Sequence, residues 1–135
     1  MKKILVDSNV LLDILTEDPH WFEWSASQLK TLANRHILAI NPIIYGEISA
    51  DFVRIEELEN CVNGVGLTRI TLPWEAAFLA GKVFIQYKKN GGTRQSSLPD
   101  FFIGAHAAVE DMLLLTRDVN RYRTYFPKLE LIHPT

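Results

Sequence analysis

The sequence predicts an α/β domain built on a largely parallel sheet, and three observations carry that prediction. Short apolar runs of strand character alternate with longer segments of helical character along the chain. Two of these runs, Ile4-Leu-Val6 and Met112-Leu-Leu-Leu115, read as buried strands, and each releases an aspartate into the following loop, Asp7 and Asp118. The 135 residues hold no repeat, low-complexity tract or long linker, a length that suits one domain, residues 1–135, with its own core.

The elements follow in order. A strand over 4–6 opens the chain, with helical pieces over 10–15 and 21–34 and a second strand over 37–40. Asn41-Pro42 reads as a helix start, Asn as N-cap and Pro at the first helical position. That helix is expected over 42–53, and another over 55–62. Residues 63–66, Asn-Gly-Val-Gly, read as a turn before a strand over 69–72 and a helix over 73–89. The clearest loop is 90–97, rich in glycine and small polar residues. A helix over 99–110, a strand over 112–115, a short helix over 119–125 and a strand over 129–132 complete the chain.

Composition excludes several classes. Apolar content of 47% and charged content of 22% are those of a globular chain rather than a disordered one. The lone cysteine, Cys61, leaves no internal disulfide to form and fits a reducing compartment such as the cytoplasm. The start, Met-Lys-Lys, imitates a signal peptide, but Asp7 and Asp13 interrupt the apolar stretch too early. No apolar segment approaches the roughly 20 residues that span a bilayer, so no membrane partner is expected. His20, His36, His106 and His133 are scattered and form no zinc spacing with Cys61; His106 reads as a packing or surface residue. Gly91-Gly92 lacks the Lys-Ser/Thr of a phosphate loop.

Net charge is −2, yet residues 81–128 carry eight basic and four acidic side chains, and residues 1–80 carry six and eleven. A basic half suits a phosphate-bearing partner, although a solvated face of long side chains accounts for it equally well. Arg94, Arg117 and Arg121, with Arg123, are the arginines placed to meet nucleic-acid phosphates.

Four acids stand out. Asp7 ends a buried strand, where a turn or cap role is the ordinary account. Glu47 shares a helix face with Ile43, Ile44 and Ile48, an apolar setting that is costly for a carboxylate unless it is paired or bound to a cation. Asp100 falls in the first turn of its helix, where acids also serve the exposed N–H groups. In that helix Gly104, Ala105, Ala107 and Ala108 would let the backbone approach the sheet closely. Asp118 follows a late strand and would equally cap a short helix. Ser8, Asn9 and Thr116 stand beside these acids as neutral groups able to hold carboxylates in place, or to make local turns and caps. A carboxylate cluster at strand ends points to a hard divalent cation.

Taken together, Leu5-Val-Asp-Ser-Asn-Val-Leu-Leu-Asp13, Glu47, Leu98-Pro-Asp-Phe-Phe-Ile-Gly-Ala-His106 and Leu115-Thr-Arg-Asp118 resemble the PIN-domain ribonucleases over almost the whole length. More narrowly, the chain is similar to the VapC-type toxins of prokaryotic toxin–antitoxin pairs. The resemblance implies a PIN-like three-layer α/β/α sandwich with a central, mainly parallel sheet. It implies Mg2+, with Mn2+ as a substitute, held by Asp7, Asp100, Asp118 and Glu47, and hydrolysis of RNA to a 5′-phosphate and a 3′-hydroxyl. Transfer RNA as substrate, a cognate antitoxin and a homodimer are further expectations of the family. Trp21, Phe22 and Trp24 read as core residues, or as part of a surface for an antitoxin helix.

Other classes fit less well. A receiver domain would want paired acids after the first strand, where Ser8-Asn9 follow Asp7, and an aspartyl-phosphate phosphatase would want Asp at position 9. The stronger rival is a catalytically silent PIN-like module that binds RNA or acts as a scaffold. Such a module commonly loses acids, and all four positions are filled here.

Overall fold

The computed structural model describes residues 1–93 and 97–135. The strands β1 (Ile4–Val6), β2 (Leu38–Ile40), β3 (Thr68–Arg69), β4 (Leu113–Leu115) and β5 (Leu131–Ile132) form one sheet in the order β3-β2-β1-β4-β5. All four pairings are parallel. The helices are α1 (Ser8–Leu15), α2 (Phe22–Ala33), α3 (Pro42–Ser49), α4 (Ile55–Val65), α5 (Trp74–Lys89), α6 (Ser97–Val109) and α7 (Val119–Arg123). A parallel sheet needs its faces covered, and the helices cover this one, so Ile4, Leu5, Val6 and Leu114 are fully sealed. The predicted α/β sandwich is therefore present, with every strand parallel.

The strand order places the site. The chain runs outward from β1 to β2 and β3, then returns to lay β4 on the other side of β1. The order of the sheet thus reverses between β1 and β4, and the carboxyl ends of parallel strands at such a reversal open a crevice. Asp7 and Thr116 follow those two strands directly.

Local chemistry sets the helix bounds. Asn41 caps α3 as predicted, its Oδ1 accepting from Ile44 N at 2.9 Å with Pro42 at the first helical position. The helix ends at Ser49, four residues short of expectation, where the Ser49 hydroxyl donates back to the Tyr45 carbonyl at 2.6 Å. Residues 63–65, expected as a turn, continue α4, and Gly66 stops it at φ 82° as a left-handed cap. The strand expected over 69–72 is reduced to Thr68–Arg69 at the sheet edge.

The small residues of α6 meet the expectation only in part. Gly104, Ala105 and Ala107 are buried, but Ala108 is exposed. A Cβ on Gly104 would lie 2.6 Å from the Phe126 ring and 3.1 Å from the Tyr122 ring, so at Gly104 the close approach is to the segment after β4, while α6 also contacts β4. Of the early aromatic group, only Trp24 packs on the core. Among the described residues no helix is long and apolar enough to cross a membrane.

Candidate active site

Asp7 is both the last residue before α1 and its N-cap. Its carboxylate is fully buried and heavily bonded. Oδ1 accepts from Ser8 N at 2.8 Å; Oδ2 accepts from the hydroxyls of Thr116 and Tyr122, each at 2.8 Å. Burial pushes the Asp7 carboxyl above its ordinary range, and those two hydroxyls pull it back. Burial and the facing Asp7 charge push the Tyr122 hydroxyl well up as well, so it stays protonated and donates.

Neutral side chains link this carboxylate to its neighbours. The Ser8 hydroxyl has one proton, and the shorter of its two contacts is to Glu47 Oε1 at 2.9 Å, against 3.5 Å to Asp7. Thr116 donates to Asp7 and accepts from Asn9 Nδ2 at 3.2 Å and from Asp118 N at 3.1 Å. Asn9 Oδ1 accepts from Arg117 N at 3.3 Å. Ser8, Asn9 and Thr116 therefore stitch the start of α1 to the loop after β4 and fix where Asp118 leaves the chain.

Glu47, Asp100 and Asp118 line one cavity of about 500 Å³, whose wall also includes Arg121. Burial, then the Asp7 charge, push the Glu47 carboxyl up, against the Ser8 bond and Arg121. Asp100 stands in the first turn of α6. Burial together with the charges of Asp7, Glu47 and Asp118 pushes it up to about 6, against the pull of Arg121. Asp118 caps α7, its Oδ1 accepting from Arg121 N at 3.2 Å. The Arg121 guanidinium spans two acids, with Nε 2.9 Å from Asp118 Oδ2 and Nη1 3.4 Å from Asp100 Oδ1.

The four acids are thus neighbours at the reversal point, but they are not equivalent. Asp7 lies behind the cavity and does not line it. Among the described residues no group of three or more His, Cys, Asp or Glu is arranged to hold a metal ion as it stands. The donor chemistry nonetheless suits a hard cation: three carboxylates on one cavity, with burial first and mutual repulsion second raising Asp100.

The arginines divide. Arg94 lies outside the described residues. Arg117 is turned inward, with Nε 2.7 Å and Nη2 3.0 Å from the two oxygens of Asp13, and stacks over Trp21 at 5.1 Å. Asp13 is almost fully buried and also accepts from the Ser25 hydroxyl at 2.6 Å. The guanidinium of Arg117 therefore ties α1 to the loop after β4, and of the four named arginines Arg121 alone lines the cavity among the described residues.

Sequence reasoning missed Tyr122 and the Asp13–Arg117 pair. Asp13 carried a readable signal, an acid within an otherwise apolar helix, the same pattern that drew attention to Glu47. Tyr122 carried none, because one tyrosine in a short helix has no periodic context. His106 is fully buried: Asn41 Nδ2 donates to its Nδ1 at 3.0 Å, and its Nε2, 3.6 Å from Glu110 Oε1, has no hydrogen-bond partner among the described residues. This contact ties α6, which carries Asp100, to the cap of α3, which carries Glu47.

Comparison with known proteins bears on the fold. The fold is similar to VapBC2 from Rickettsia felis, solved with a promoter DNA fragment, at a TM-score of 0.74 and 18% identity over 98% of both chains. It is similar to DNA-bound VapBC from Salmonella typhimurium at 0.71 and 17%, again over 98% of both. VapBC-1 from nontypeable Haemophilus influenzae gives 0.72 and 15% over 96% of both. No curated protein sequence shows significant similarity to the chain. The PIN domain family matches residues 4–127, nearly the full length, and the chain belongs to that family.

Proposed function

We propose that the protein is a metal-dependent ribonuclease acting as the toxin of a toxin–antitoxin pair. The observation that carries this is the convergence of Glu47, Asp100 and Asp118 on one cavity at the sheet's reversal point, with Asp7 directly behind them. Membership of the PIN family and a fold shared with chains of VapBC complexes support it.

Asp100, Glu47 and Asp118, with Asp7, would hold Mg2+ or Mn2+, one or two of them directly and the others through retained waters, as suits Mg2+. A bound ion there supplies an activated water and offsets charge on the phosphate. The chain's own residues do the positioning. Ser8, Thr116 and Tyr122 fix the Asp7 carboxyl and offset part of the cost of its charge. Ser8 orients Glu47 toward Asp7. Arg121 places a guanidinium beside Asp100 and Asp118, where it can meet a nonbridging phosphate oxygen. The water oxygen forms a bond to phosphorus, the bond from phosphorus to the 3′ oxygen breaks, and that oxygen takes a proton. The products carry a 5′-phosphate and a 3′-hydroxyl.

An antitoxin and a second copy of the chain, in the cytoplasm, complete the reading. Trp74, Phe78 and Ile85 share one face of α5 and are 88%, 69% and 52% exposed, an apolar stripe that favours a protein partner.

One observation favours the second reading, a silent RNA-binding module: Asp7 is sealed from the cavity by its hydroxyl donors. Incubation with total RNA in Mg2+, Mn2+ or EDTA decides between them. Cleavage that EDTA suppresses and D100N abolishes is the expected result. RNA binding without cleavage in either metal would refute the nuclease.

A further inference from the structure

The cavity has a second wall that hydrolysis does not use. Phe101 follows Asp100 in sequence, and its ring packs edge-on against Tyr125 at 5.5 Å and Tyr87 at 5.4 Å. All three aromatic residues line the same cavity as the acids. Phe101 is buried and anchors the group, whereas Tyr87 and Tyr125 are half-buried. Because Asp100 and Phe101 are adjacent in one helical turn, the spacing between acids and aromatic wall is set by α6 itself. Asn120 and Thr124 line the cavity too, one helical turn apart, and both are exposed.

The cavity lining therefore divides into two chemistries: charged groups, and flat rings with neutral hydrogen-bonding groups. Its volume, about 500 Å³, falls within the ~300–1,000 Å³ of small-ligand sites. A nucleotide has the same division, an anionic phosphate joined to a flat, hydrogen-bonding base. Aromatic side chains accept any base on its π-face, and amide and hydroxyl groups read its edge.

We infer that this wall is a nucleobase subsite, in which the base of a nucleotide flanking the scissile phosphate stacks against Tyr125 while Asn120 and Thr124 contact its edge. The inference deepens the ribonuclease reading and rests on it for the identity of the polynucleotide. Tyr125 supplies stacking energy, and Asn120 supplies preference among bases. Packing on Phe101 and Tyr87 fixes the Tyr125 ring in advance, so little freedom is lost when a base arrives.

The test uses single-stranded oligoribonucleotides carrying one 2-aminopurine, whose fluorescence falls on stacking, with the D100N protein in Mg2+. Quenching is expected in D100N and in D100N/Y125F. In D100N/Y125A it should be lost, and binding should weaken about tenfold, within the range of one base–aromatic stack. N120A, a change at an exposed side chain with no part in the core, should redistribute the sequences cut by otherwise wild-type protein. Undiminished quenching in D100N/Y125A, or no binding to D100N at all, overturns the subsite. Unchanged cleavage sequences in N120A overturn its role in base preference. Wild-type protein that cuts no RNA while Tyr125-dependent quenching persists refutes the nuclease and keeps the subsite.

Discussion

The two ends of the acid cluster solve the same electrostatic problem differently. At the Asp7 end, a fully buried carboxylate is balanced by neutral donors, Ser8 N and the hydroxyls of Thr116 and Tyr122. At the Asp100–Asp118 end, two partly open carboxylates are balanced by a charge, the Arg121 guanidinium. Fixed dipoles stabilise an anion without adding net charge, and they move little. A long arginine is adaptable and can exchange its partners. The Asp7 end thus serves the fold as well as the site, whereas the Asp100 end serves the site alone.

Substitutions at the two ends should separate these roles. D100N should lower metal-dependent RNA cleavage by at least about a hundredfold with no loss of stability, since it removes a carboxylate whose ionisation is costly where it stands. D7N should lose cleavage equally but also about 1–3 kcal/mol of stability, because an amide NH2 would face hydroxyl donors. Urea denaturation beside a cleavage assay checks both, and equal stability of the two variants would remove the distinction. Breaking the inward pair by R117M should cost about 3 kcal/mol, by stranding the buried Asp13 carboxylate, and should leave RNA affinity unchanged. An affinity loss without a stability loss would return Arg117 to the RNA surface.

Y122F is expected to cost about 1–2 kcal/mol, since Asp7 loses one of its donors. A Tm equal to wild type would show that the remaining bonds suffice. The pH response has a definite sign. Asp100, raised to about 6, holds a proton in the folded protein over a range where the unfolded chain has lost it. Its stabilisation is full below its ordinary value and disappears as pH rises through about 6. The metal-free protein should therefore gain Tm between pH 7 and 5, and the gain should shrink in D100N. Smallest of all, R121Q should reduce the slope of log affinity against log salt by about one for RNA; an unchanged slope would mean that Arg121 meets no phosphate.

Much of this was legible in the sequence. Apolar runs ending in aspartate located β1, β4 and the edge that carries the site. Asn41-Pro42 located the start of α3, because a cap is a local event written in adjacent residues. The position of Glu47 among isoleucines was enough to mark it. What could not be read were contacts closed by the fold. Tyr122 meets Asp7 across 115 positions, and Arg117 meets Asp13 across 104. No spacing rule links residues so distant. Helix ends shifted where one residue decided them, Ser49 by its hydroxyl and Gly66 by its left-handed backbone.

Gly104 lies one helical turn after Asp100 on α6, and its missing side chain bears on Asp7 as well. The Phe126 and Tyr122 rings occupy the space a methyl group would need. Any larger residue there must push Tyr122, and Tyr122 holds Asp7. The order of mutations then matters. Alanine at position 104 is expected to be harmful first and acceptable only after position 126 has shrunk. A lineage that took the steps in reverse would pass through a protein with a loosened Asp7. The cavity's chemistry is thereby tied to a historical path through a residue that never touches it.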